Sequence, residues 1–274
     1  AGWEPLEVDF DGTYSLACGD APTYAWDFGD GETAAGAQVT HIFGPGEHDV
    51  TLTVTNSSGA SASVTRRVSV EAAVLPNLVL GLHLDGDTSD WSGKGNEVTW
   101  EDGGGDYQAG ITGQAAAFDG SEGGELLAVA HRYFLDDLER MTVVFWARKN
   151  DPAAGGEVVL KHTSYSIRLG ADSFRADVYT GGEAGSLTVD GLATDDTEWH
   201  CYGVTYDGAA ITLWVDGLEV GALPHTGRIA RNVDRPVHLG GSPWGASFDG
   251  QLDEIRIYDK TLGATELEAL YLAP

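Results

Sequence analysis

The sequence predicts an all-β chain built from two sandwich domains. Three observations point there. Short segments alternate apolar and polar residues at period two, as half-buried strands do: Val50, Leu52 and Val54 alternate with Thr51, Thr53 and Thr55. Asp-Gly pairs such as Asp207-Gly208 and Asp216-Gly217 separate such segments, and that pairing is the strongest short-range hairpin signal. Glycine supplies 38 of 274 residues, which suits tight turns better than long helices. The length is generous for one domain and comfortable for two, and a hydrophobic content of 42% fills ordinary cores.

Residues 1–72 form the first predicted domain. Tyr24-Ala25-Trp26-Asp27-Phe28-Gly29-Asp30-Gly31 is followed by His41-Ile42-Phe43, by Pro45-Gly46 and by the strand Asp49–Asn56. Asn56-Ser57-Ser58-Gly59 is a turn, and Ser61–Val70 is the return strand. This order resembles the PKD domain, which implies an immunoglobulin-like β-sandwich acting as a spacer. His48 departs from the pattern, where the family usually has an aromatic residue. Asp27 and Asp30 invite a calcium reading, but Asp beside Gly more simply serves turn geometry, with Trp26 and Phe28 in the core. Asn56-Ser57-Ser58 is also a glycosylation sequon, meaningful only in a glycosylating host.

Residues 73–77 are a short linker, stiffened at its end by Pro76. Residues 78–274 hold Leu80–Leu84, then Asp90-Trp91-Ser92-Gly93-Lys94-Gly95-Asn96, then Gly113–Gly120, the strand Met141–Lys149, and the series Trp199–Gly208, Leu213–Gly217, His238–Gly241 and Phe248–Tyr258. The series resembles the laminin-G-like branch of the concanavalin A-like lectin/glucanase superfamily, which implies a β-jelly roll of two packed antiparallel sheets. A closing stretch, Thr261–Tyr271, reads as a short helix capped through Thr265 and Glu268.

Charge narrows the partners. Asp and Glu total 43 against 15 Lys and Arg, a net charge of −28. Such a surface repels phosphate backbones, which argues against nucleic acid, and it repels anionic polysaccharide unless a local basic pocket or a metal intervenes. The acidity suits salty or calcium-rich surroundings, or simply solubility outside the cell. No apolar run approaches a membrane span. The chain begins without a basic, then apolar, leader, as expected of a mature product or a fragment. Cys18 and Cys201 fall in different domains and read as two buried thiols rather than one bridge. Secretion or cell-surface display is the expected setting.

The resemblance raises the question of catalysis, because the superfamily includes glucanases. Their Glu-x-Asp-x-x-Glu strand is missing. Asp253 and Glu254 are adjacent and expected on opposite strand faces, so they do not make such a pair. A lyase-type Gln-x-His strand and a serine nucleophile elbow are also missing, and His131, His162, His200, His225 and His238 are scattered. The expectation is therefore no enzyme. What the resemblance implies instead is a calcium ion, Ca2+, held by Asp90 and Asp253 with Asn96 or nearby carbonyls, in the oxygen-rich coordination that calcium prefers. Asp85 and Asp87 are upstream additions or solvated turn carboxylates.

Ligand candidates are aromatic. Trp91 and Trp244 lie in Gly/Ser/Pro-rich loops, with Tyr107 a weaker member of the set; each is a sugar-stacking platform or a plug under its own loop. Trp146 and Trp199 match core aromatics of the family, and Trp214 is a platform or part of a second buried face. The leading expectation is a non-catalytic, calcium-stabilised glycan-binding or adhesion module of a secreted or cell-surface multidomain protein. The alternatives are a purely structural spacer or docking pair, or an accessory region of a polysaccharide-degrading enzyme.

Overall fold

A computed structural model describes residues 6–15, 22–43, 46–70, 77–101, 105–121, 125–194, 196–245 and 247–274. The chain divides into two compact units, Ala1–Leu75 and Pro76–Pro274. Cys18 and most of the expected linker lie outside the described residues.

In the first unit, Thr33–Ala35, Thr23–Asp27, Gly46–Thr55 and Ser61–Val70 form a four-stranded sheet in that order, and Leu6–Asp11 pairs with Gln38–Phe43. Trp26, Phe28, Phe43, Val50 and Leu52 are its buried core, as alternation requires. Asp27 Oδ1 accepts the Gly29 N–H at 3.0 Å, and Asp30 Oδ1 accepts the Glu32 N–H at 3.1 Å. His41 Nε2 lies 2.7 Å from Asp30 Oδ2, and its ring stacks on Phe28 with centroids 3.8 Å apart. These aspartates hold a turn.

In the second unit, an eight-stranded sheet runs Leu218–Pro224, Ala210–Val215, His200–Tyr206, Met141–Lys149, Asp249–Tyr258, Gln114–Asp119 and Asp106–Ala109, with Leu78–Leu82 also paired to Asp249–Tyr258. A seven-stranded sheet runs Glu183–Val189, Phe174–Thr180, Tyr165–Leu169, Gly156–Lys161, Val237–Leu239, Leu126–Val129 and Val98–Glu101. The inner faces meet in one core that includes Leu82, Phe145, Ile167, Phe174, Val204 and Leu239. The outer face of the eight-stranded sheet is partly covered by the helix Ala264–Leu272, whose Leu267 approaches Gly203 and whose Tyr271 stacks on Trp146 at 5.7 Å. The helix cap differs from expectation. Gly263 is the cap, its N–H donating to Glu266 Oε2 at 2.8 Å, and Thr265 falls inside the first turn. Trp214 is half-buried with Nε1 donating to Thr205 Oγ1 at 3.1 Å. Trp199 is a half-exposed partner of Arg148, whose guanidinium sits 5.0 Å from the ring, so it is not a core residue.

Candidate ligand-binding site

The loop after Leu78–Leu82 is organised by Asp90. Its Oδ1 accepts the Gly81 and Ser92 N–H groups, and its Oδ2 accepts Ser92 Oγ, the Asn96 N–H and Asn96 Nδ2, all between 2.8 and 3.0 Å. A carboxylate offers about four lone-pair sites, so these five donors engage both oxygens within the loop. Asn96 Nδ2 also donates to the Val79 carbonyl at 2.8 Å, while its buried Oδ1 has no hydrogen-bond partner among the described residues.

Asp253 sits elsewhere, fully buried in the Asp249–Tyr258 strand. Its Oδ2 accepts the Ile111 N–H at 2.9 Å and the Thr112 N–H at 3.4 Å, and its Oδ1 accepts the Glu254 N–H at 2.8 Å. The expectation of opposite faces for Asp253 and Glu254 fails. Val144 pairs with Arg256 and Trp146 with Asp253, so Phe145 faces two residues of the long strand, and Glu254 adopts a positive φ of 47°. Such a bulge cancels the parity of a strand. Glu254 therefore also reaches Thr112, through Oγ1 at 3.4 Å, while meeting His83 Nδ1 at 2.6 Å and Arg256 at 2.7 Å. Burial first, and then the Glu254 charge, push the Asp253 carboxyl up to about 7 against its backbone hydrogen bonds.

Calcium can be tested against these positions. Among the described residues no three or more His, Cys, Asp or Glu side chains are grouped to share a metal ion. The oxygens crowded near Asp253 are backbone ones: a Cβ placed on Gly110 would meet Asp253 Oδ2 and the Thr112 and Gln114 carbonyls together. That donor chemistry is of the kind calcium takes.

The aromatic candidates separate clearly. Trp91 is half-buried, parallel to His83 with centroids 5.1 Å apart, with the Arg256 guanidinium 5.8 Å from its ring and Gly81 directly beneath. It covers its own sheet. Tyr107 is half-buried and edge-on to Trp100, which donates to its hydroxyl at 3.2 Å. Trp244 is 56% exposed.

Trp244 rides on the loop between Val237–Leu239 and Asp249–Tyr258. The loop leaves the sheet at Gly240, where φ is 75° and where a Cβ would strike the Phe118 ring, so only glycine fits. It closes through the Phe248 N–H on the Gly240 carbonyl at 2.7 Å. Against the indole lie His162 at 4.8 Å, His238 edge-on at 6.5 Å and the Arg235 guanidinium at 5.5 Å.

The floor beside Trp244 is the outer face of the seven-stranded sheet. Register places Thr99, Ala128, His238, Leu160, Ser166, Asp177 and Ser186 in one row across it. The His238 side chain is only 4% exposed, and its Nδ1 has no hydrogen-bond partner among the described residues. Burial first, then the positive charges of Arg235, Lys161 and His162, hold its pKa down at about 4. Glu157 Oε1 is likewise buried and unpartnered, while Oε2 takes Arg168 at 2.6 Å. Under the rim, Lys161 is fully buried, ion-paired with Asp136 and donating to the Arg235 carbonyl at 2.5 Å. Sequence reasoning found Trp244 but passed over His238, His162 and Arg235. The available signal was parity, since His238 stands between the core residues Val237 and Leu239.

Two packed antiparallel sheets of this kind define the second unit as a β-sandwich domain. Residues 119–268 match the concanavalin A-like lectin/glucanases superfamily, more than half of the chain, and the protein belongs to that superfamily. Residues 3–72 match the PKD domain. Among curated proteins, the chain is 41% identical over 66 residues to collagenase ColA of Clostridium perfringens and 46% identical over 48 residues to a microbial collagenase of Vibrio alginolyticus. These matches take in 23% and 17% of this chain but only 6% of either collagenase. Among solved structures, the binding domain of Paraclostridial Mosquitocidal Protein 1 superposes with a TM-score of 0.60 at 16% identity, over 72% of this chain and 52% of that one. Domain 4 of AbnA, a GH43 extracellular arabinanase of Geobacillus stearothermophilus seen with arabinotriose, gives 0.57 at 19%, over 71% and 98%. A botulinum neurotoxin type C structure, described through its interaction with two ganglioside molecules, gives 0.59 at 15%, over 74% and 52%. At these identities the likeness is one of fold. No described helix is long and apolar enough to cross a membrane.

Proposed function

We propose that this chain is a non-catalytic binding region of an extracellular multidomain protein, in which the C-terminal sandwich reads a glycan and the PKD domain acts as spacer. The observation that carries the reading is the Trp244 rim, an exposed indole held beside a buried floor whose His238 Nδ1 lacks a partner. An aromatic face stacks on the C–H face of a sugar ring while nearby polar atoms take its hydroxyls. The fold likeness to an arabinanase domain seen with arabinotriose supports the class of ligand without naming it. Affinity gel electrophoresis of the whole chain against neutral and acidic polysaccharides, with calcium present, tests the proposal. The parent is retarded by at least one glycan, and Trp244→Ala migrates freely with an unchanged melting temperature. Free migration of the parent with every glycan overturns it.

A second reading is favoured by the collagenase identity of the PKD segment: the region serves as an accessory part of a larger secreted degradative enzyme. Sedimentation with insoluble collagen and insoluble polysaccharide separates the two readings by which polymer carries the chain down.

Calcium enters the proposal as a structural ion at Asp253 with the Thr112 and Gln114 carbonyls. The crowding of oxygens over Gly110 and the burial of the Asp253 carboxyl beside Glu254 support it. It would fasten the long strand to the Gly110–Gln114 turn.

A further inference from the structure

We propose that the Trp244 rim takes a carboxylated pyranose, a uronic or sialic acid residue, stacked on the indole with its carboxylate on the Arg235 guanidinium. This deepens, and rests on, the glycan-binding reading above. The chain carries a net charge of −28, and several of its cations are paired with its own carboxylates among the described residues. Arg168 pairs with Glu157, Arg175 with Asp177, Arg228 with Asp137 and Glu139, and Arg256 with Glu254. Arg235 does not. Its exposed guanidinium lies against the Trp244 ring and forms no ion pair or side-chain hydrogen bond among the described residues.

The position of Arg235 is built, not incidental. Lys161 Nζ grips its carbonyl from the interior, and Asn232 Nδ2 ties the same segment to the His162 carbonyl at 2.7 Å. Asp136 neutralises Lys161, so the positive charge facing solvent at the rim belongs to Arg235. The acidic neighbours are Asp234, next in the chain, and Glu101, whose Oε2 lies 3.9 Å from His238 Nε2. That separation is too long for a hydrogen bond, so the Glu101 carboxylate acts on His238 only as a screened charge. The His238 ring stands edge-on to the exposed indole, with centroids 6.5 Å apart.

A neutral sugar uses only the stack on the indole. A carboxylated one adds a two-pronged, charge-assisted bond to the planar guanidinium. The added bond favours the acidic ligand roughly 10- to 100-fold.

Isothermal titration of the whole chain tests this with trigalacturonic acid and 3′-sialyllactose as acidic arms, and galactotriose and lactose as their neutral twins. The expected result is an acidic arm at least tenfold tighter than its twin, with Arg235→Gln erasing the difference and Trp244→Ala abolishing both. The arm that responds identifies a uronate or a sialate. Equal binding of an acidic ligand and its twin, or a preference that survives Arg235→Gln, overturns the inference while leaving the glycan-binding function standing. Binding of no glycan in either this panel or the polysaccharide gels removes the function and the inference with it.

Discussion

Acidification tests the burial of His238, and with it the geometry of the rim. An unfolded chain protonates this imidazole at about 6.5, whereas the folded one resists until about 4. Between those values the unfolded state holds more protons, so the contribution to stability is whole above pH 6.5 and is lost as pH falls toward and through 4. At 1.36 kcal/mol per unit, the full difference is roughly 3 kcal/mol, an upper figure. Glu101, 42% exposed, works against it only weakly because solvent screens the pair. The assay is urea unfolding of the parent and of His238→Phe from pH 8 to pH 4, followed by tryptophan fluorescence of the second unit. Subtracting one profile from the other removes the titration of the remaining groups. The variant gains on the parent by about 1–3 kcal/mol across that range. A difference that stays flat down to pH 4.5 refutes the reasoning, because it requires an imidazole that is solvated or freely protonated in the folded state.

Three further outcomes are expected. Lys161→Met leaves the buried Asp136 carboxylate with His131 as its one ion partner among the described residues and costs up to about 3–5 kcal/mol in denaturant unfolding, whereas the double variant with Asp136→Leu recovers most of that loss; equal loss in both forms counts against a buried ion pair. Gly81→Ala drives a Cβ to 2.7 Å from the Trp91 ring and lowers stability by about 1–3 kcal/mol, while an unchanged melting curve shows that Trp91 does not cover Gly81. Chelation lowers the melting temperature and calcium restores it, Asp253→Ala being indifferent to both and Asp90→Asn still responding to calcium; an Asp253→Ala protein that still gains from calcium moves the ion elsewhere.

Much of the fold was legible because strand alternation and Asp-Gly turns are local. Val50, Leu52 and Val54 declare which side of their strand is buried without any partner in view. The lectin-type resemblance likewise rests on short motifs: Trp199–Gly208 and Leu213–Gly217 fall on neighbouring strands, whereas Met141–Lys149 separates them from Asp249–Tyr258, and Val237–Leu239 lies in the other sheet. The site was less legible. Trp91, Trp244 and Tyr107 look alike in sequence, as aromatics in or near turns. Only the packing of His83 and Arg256 around Trp91, and of Trp100 against Tyr107, leaves Trp244 as the exposed one.

Sequence by itself settled the class of architecture, the order of the two domains and the acidic balance, because composition and period-two patterning act residue by residue. Tertiary structure decided which polar groups share a place. One bulge residue, Glu254, overturned the parity that kept it from Asp253, since a single positive φ shifts every side chain beyond it. The saturation of Asp90 by its own loop came from folding as well. So did the meeting of Arg235, His238 and Trp244, which stand on different segments and converge only because two sheets and their loops fix distances that no linear spacing encodes.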